Sequence, residues 1–133
     1  MSVFCDSSAL LAVIAASDEN HAPAAGTWQR MLDADERLVT TNYVVLELCS
    51  VAQRRLGISA LQLLTTAILP AIRIQWVDEA AHSAAVAAVL AANRRELSIV
   101  DCVSFSTMRE LGITHAFAFD PHFVEQGFEA DWP

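Results

Sequence analysis

Short apolar runs alternate along the chain with longer stretches in which apolar residues recur at helical spacing. Val3, Phe4 and Cys5 form a run that stops at Asp6, and after two serines Ala9 to Ala16 follow. That order predicts a buried strand, a tight turn and a helix. Residues 17–22 (SDENHA) carry turn chemistry. A second helix is expected from Pro23 to Leu32, with Trp28, Met31 and Leu32 on its inner side. The charged stretch DADER at 33–37 reads as a solvated turn, and Leu38 to Thr41 as a second strand. Asn42 is placed to cap a helix running to Leu56, apolar over most of its circumference and therefore expected to be largely buried. Gly57 ends it. Residues 58–72 form a further helical segment, closed by Pro70. RIQWV at 73–77 reads as a third strand, and Asp78 caps an Ala-rich helix with Val86, Val89 and Leu90 inside. Residues 98–123 predict a helix, a turn and a fourth strand, Ala116 to Phe119, which ends at Asp120. Beyond it Phe123, Phe128 and Trp132 suit an edge strand or a loop packing back on the sheet.

Strands alternating with helices imply an α/β fold with a mainly parallel sheet of four to five strands, covered on both faces. The 133 residues suffice for one domain with one core, and no linker, repeat or low-complexity run divides residues 1–133. At 54% hydrophobic the chain suits a compact cytoplasmic protein rather than a disordered one. No apolar run approaches the ~18 residues of a membrane span. The three cysteines, Cys5, Cys49 and Cys102, lie in apolar runs without metal-binding spacing, and read as buried free thiols. A net charge of -8 argues against passive binding to nucleic acid. A cluster of acids holding a divalent cation would reverse the local sign, so a metal-dependent nuclease stays open.

Four acids stand where the pattern asks for apolar residues: Asp6, Glu47, Asp101 and Asp120. Each has a plain alternative. Asp6 can serve as a helix N-cap, and Glu47 can be solvated or paired with Arg54. In parallel α/β sheets, however, ligands bind beyond the carboxyl ends of the strands. Asp6 ends the first strand and Asp120 the fourth, while Glu47 and Asp101 fall in early turns of helices that start near that edge. Converged carboxylates repel unless one is protonated or a cation lies between them. All-oxygen ligation favours Mg²⁺ or Mn²⁺ over zinc. Such a site suits phosphodiester hydrolysis by a metal-activated water. Asp6 and Asp101 are the first choice as direct ligands, with Glu47 and Asp120 for a second ion or a bound water. Ser8 is placed to orient a water or a carboxylate. His122 is a candidate phosphate contact, although an exposed surface position is the commoner role. Arg54, Arg55, Arg94, Arg95 and Arg109 are candidates for holding RNA phosphates, against the commoner role of solvated helix-end charge.

Five ordered stretches carry a family resemblance: FCDSSALLAV, DENH at 18–21, VTTNYVVLEL, LSIVDCVSF, and AFAFDPHF followed by Gly127 and Phe128. In these the chain resembles a PIN domain, and within that family the VapC-type toxin ribonucleases of toxin–antitoxin pairs. The resemblance implies a three-layer α/β/α nuclease with a quartet of acids, here Asp6, Glu47, Asp101 and Asp120, around Mg²⁺ or Mn²⁺. It further implies endonucleolytic cutting of a tRNA or rRNA, a homodimer, and silencing by an antitoxin whose tail enters the groove near the metal. Two readings stand beside it: a PIN nuclease of RNA processing outside toxin–antitoxin systems, and a non-catalytic PIN-like binding module.

Overall fold

A computed structural model describes residues 1–130. Four strands form one sheet: β1 (Ser2–Cys5), β2 (Arg37–Thr41), β3 (Arg73–Gln75) and β4 (His115–Phe117), in the order β3-β2-β1-β4 with every pairing parallel. The helices are α1 (Ser7–Ile14), α2 (His21–Asp33), α3 (Asn42–Leu56), α4 (Ile58–Leu63), α5 (Glu79–Ala92), α6 (Ile99–Leu111) and α7 (His122–Glu125). Side chains alternate across each strand, and the two sets enter two separate cores. Val3, Cys5, Leu38 and Phe117 join residues of α1, α2 and the α4 region. Phe4, Val39 and Ala116 join residues of α5, α6 and α7. The result is the expected α/β/α sandwich, in which α3 contributes Val44 to one core and Leu48 and Ala52 to the other.

The chain starts in the middle of its sheet. From β1 it moves outward through β2 to β3, then crosses back to lay β4 on the other side of β1. The carboxyl ends of β1 and β4 therefore flank a topological switch point, where α/β sheets open a crevice. The register places Cys5 against Phe117, and the Asp6 N–H donates to the Phe117 carbonyl at 2.9 Å. Buried Thr40 braces β2 against β1 through its hydroxyl, which donates to the Cys5 carbonyl at 2.7 Å.

Several local expectations need correction. Thr41, not Asn42, caps α3, accepting from the Val44 N–H; Asn42 instead accepts from the Val77 N–H. α3 is only half buried, with Leu46 at 69% exposure. Leu32 and Leu90 are exposed too. Folded proteins lack enough polar surface to cover themselves, so an apolar residue at helical spacing can still face out. β3 ends at Gln75, leaving Trp76 at the surface. Pro70 does not cut an α-helix: after α4 the backbone widens into a π turn over Leu64–Ile68 and tightens into a 3-10 turn over Leu69–Ala71. That shift accommodates a ring that would otherwise clash with the carbonyl four residues back. The fourth strand stops at Phe117, so Asp120 lies in the loop beyond it. Phe123 falls on α7 rather than on an edge strand, and Glu129 makes a single parallel bridge to His115. Trp132 lies outside the described residues. Cys5 and Cys102 are buried free thiols, whereas Cys49 is half-buried. No helix among the described residues is long and apolar enough to cross a membrane.

Candidate metal centre

Asp6 occupies the step from β1 into α1. It is the helix N-cap and is 4% exposed. Its Oδ2 accepts from the Ser8 N–H at 3.2 Å and from the Ser8 hydroxyl at 2.6 Å. Capping and acid chemistry thus coexist in one side chain. Ser8 Oγ also accepts from the Phe119 N–H at 2.9 Å, tying the exit of β4 to the start of α1. Ser8→Ala removes both contacts. It is expected to destabilise the protein by about 2 kcal/mol in urea unfolding; a loss below about 0.5 kcal/mol would show that the bridge holds nothing.

Asp101 stands in the first turn of α6 and forms a capping box with Ser98. The Asp101 N–H donates to Ser98 Oγ at 3.0 Å, and the Ser98 N–H donates to Asp101 Oδ2 at 3.3 Å. Glu47 lies in the second turn of α3 and is half-buried; its Oε1 accepts from the Ser7 hydroxyl, not from Arg54. Asp120, in the β4–α7 loop, is fixed by the His122 N–H, which donates to Oδ1 at 2.9 Å.

These acids act on one another in sequence around the crevice. Burial pushes the Asp6 carboxyl up to about 6, opposed by the Ser8 hydrogen bonds and reinforced by the charges of Asp101 and Glu47. Burial and then the Asp120 charge raise Asp101 above the usual carboxylate range. Glu47, Asp6, Asp101 and Asp120 thus form a chain of electrostatic neighbours drawn from α3, α1, α6 and the last loop. Among the described residues one group of three ligand-bearing side chains is spaced closely enough to hold an ion. It contains Asp101, Asp120 and His122, whose ligand atoms all lie within 4.8 Å of one another. His122 is not an exposed surface histidine: its side chain is 14% exposed and Nδ1 lies 3.0 Å from Asp120 Oδ1. The donor set fits a divalent cation, because repelling carboxylates with raised proton affinity and a buried nitrogen without a hydrogen bond are both relieved by positive charge.

The arginines are spread more widely. Arg54 and Arg55 are exposed in the last turn of α3, Arg54 about 10 Å along the axis from Glu47. Arg95 is exposed. Arg94 is taken up by Glu96 and Glu125. Arg109 lies about 12 Å along α6 from Asp101, donates to Gln126, and sits over the Phe128 ring. Ser7 and Ser98 escaped sequence reading. Ser98 could have been found as the residue three positions before an acid at a helix start; Ser7 carried no such local signal.

A sheet of this order with acids at its switch point defines the class, and the sequence agrees: residues 3–129 match the PIN domain, and the chain belongs to that family. Over 127 residues, 95% of each chain, it is 30% identical to the 23S rRNA-specific endonuclease VapC20 of Mycobacterium tuberculosis, in strains CDC 1551 and H37Rv. The crystal structure of that VapC20, described as a Sarcin-Ricin loop cleaving toxin, superimposes with a TM-score of 0.85 over 98% of this chain and 99% of that one. FitAcB from Neisseria gonorrhoeae shares the fold at a TM-score of 0.68, 16% identity and 98% and 96% coverage.

Proposed function

We propose that this protein is a Mg²⁺- or Mn²⁺-dependent endoribonuclease that cuts ribosomal RNA as the toxin of a toxin–antitoxin pair. The observation that carries the reading is the ring of acids at the switch point, in a chain 30% identical over 95% of its length to a 23S rRNA-specific endonuclease. Asp101 and Asp120 are assigned as ligands of the cation, and Asp6 and Glu47 complete the site. A divalent cation there supplies charge neutralisation at the scissile phosphate and lowers the pKa of a water. The chain's own groups hold and orient. Ser8 fixes Asp6, Ser7 fixes Glu47, and the Ser98 capping box points Asp101 at the crevice. Asp6, with a carboxyl raised to about 6 by burial, is mostly ionised at neutral pH, and a cation in the crevice would offset that buried charge. Arg54, Arg55 and Arg95 are free of ion pairs among the described residues and provide the cationic contacts to the RNA backbone.

A groove of about 210 Å³ lined by Ser7, Ser8, Leu11, Glu47, Leu48 and Val51 opens beside Glu47. It suits an apolar antitoxin segment that would silence the site by covering it. A homodimer belongs to the same reading, and the molecular mass of the purified protein in solution tests it. Cytoplasmic action on ribosomes follows from the substrate.

Incubation of purified, antitoxin-free protein with ribosomes tests the reading. With Mn²⁺ or Mg²⁺ one discrete cut in the large-subunit RNA is expected, and EDTA should abolish it. Cutting that persists in EDTA would refute metal dependence. Intact rRNA beside a cleaved tRNA pool would move the substrate class.

A further inference from the structure

Carboxylates alone could hold a cation, yet the fold also buries a ring nitrogen among them. His122 Nδ1 has no solvent contact and no hydrogen-bond partner. It lies 3.0 Å from Asp120 Oδ1 and 3.8 Å from Asp101 Oδ2, and the ring is not aligned to donate to either. A buried polar nitrogen left so is costly. Taking the cation from the nuclease reading, on which this rests, we infer that His122 Nδ1 is a direct ligand, making the centre a mixed oxygen–nitrogen site selective for Mn²⁺ over Mg²⁺.

The spacing fits. With metal–ligand bonds of about 2.1 Å, adjacent ligands of an octahedral ion stand about 3.0 Å apart and opposite ones about 4.2 Å. The 3.0 Å separation at Nδ1 matches adjacent ligands, and the 3.8 Å separation lies between the two values, so a shift of less than about 1 Å brings Asp101 Oδ2 to either position. The ring is also held before metal arrives. The His122 N–H is pinned to Asp120 Oδ1, and the next residue, Phe123, is fully buried against Phe4 and Phe105. Glu96 and Glu125, which also sense His122, are occupied by Arg94 and do not compete for the ion. Mg²⁺ is satisfied by oxygen, whereas Mn²⁺ stands above it in affinity for imidazole nitrogen.

The test is pulsed EPR of Mn²⁺ bound to the full chain. A ¹⁴N coupling is expected in the wild type, replaced by a ¹⁵N pattern when histidine is ¹⁵N-labelled. This needs no substitution, so folding does not confound it. The other three histidines are engaged elsewhere: His21 with the Ala12 carbonyl, His82 with Tyr43, His115 with Glu129. In His122→Gln the coupling should vanish, and calorimetry should show Mn²⁺ affinity falling at least about tenfold, the lower end of losing even an outer-shell partner, with Mg²⁺ affinity changing less. Bound Mn²⁺ without nitrogen coupling would overturn the inference; if metal-dependent RNA cutting persists, the nuclease reading stands. No Mn²⁺ binding together with no divalent-dependent cutting would sink both.

Discussion

Asp101→Asn is expected to lower the rate of RNA cutting by more than about 100-fold while leaving the protein at least as stable as the wild type. The rate loss follows from position. Asp101 shares a close ligand grouping with Asp120 and His122, and losing even an outer-shell partner of a metal typically costs about 10–100-fold. The stability expectation follows from charge. Burial and the neighbouring Asp120 both disfavour the ionised form, and an amide carries no charge to bury. The amide oxygen can still accept from the Ser98 N–H and keep the capping box closed. Single-turnover cleavage of ribosomes, with thermal unfolding in parallel, reads both quantities. Cutting within about tenfold of wild type would remove Asp101 from the machinery. A fall in both activity and stability would mean that it serves only as a cap, worth about 1 kcal/mol.

Asp6→Asn carries the second large effect, on stability against pH. The carboxyl is raised from 3.8 to about 6 by burial first and by Asp101 and Glu47 after the opposing Ser8 bonds. Below its unfolded value it is neutral in both states and adds no penalty. As pH rises through the folded value it must ionise while buried, so the metal-free protein loses stability across that window. At 1.36 kcal/mol per pH unit the loss amounts to about 3 kcal/mol at neutral pH. Asp101, raised in the same direction, adds to the slope. Urea unfolding in EDTA should therefore show the wild type weakening from pH 4 to pH 7 and Asp6→Asn weakening less, with the variant the more stable at neutral pH. Mn²⁺ should reverse the ranking, because only the wild type keeps its full set of acids to bind the ion and gain stability by mass action. A metal-free wild type that strengthens over this range would contradict the burial of Asp6 charge.

Both effects trace to acids set in or directly after apolar runs, and that anomaly is local enough to see in the chain. Asp6 after Val3, Phe4 and Cys5, and Asp101 inside IVDCV, are conspicuous because a buried strand or helix face tolerates charge only for a reason. Inward and outward positions were less legible where a helix is partly exposed. Leu46 and Leu90 have helical spacing, yet both stay largely exposed. The roles of the small hydroxyls divide along the same line. Ser98 acts three residues away, within one helical turn, whereas Ser7 reaches Glu47 across 40 residues and Ser8 reaches Phe119 across 111.

By itself, then, the sequence determined the alternation of strands and helices, a parallel sheet buried on both faces, and which acids were out of place. Periodicity reports which face of an element favours burial, because burial acts residue by residue through hydrophobic free energy. It does not report what a buried group faces. Strand order and register decided that: the return of the chain to lay β4 beside β1 brought Asp120 and His122 opposite Asp6 and the start of α6. The pairing of Asp101 with Asp120 and His122, the burial of Nδ1, and the shifted proton affinity of Asp6 all arise from groups far apart in the chain. Electrostatic and ligand interactions act over a few ångströms, so only the tertiary structure could set them.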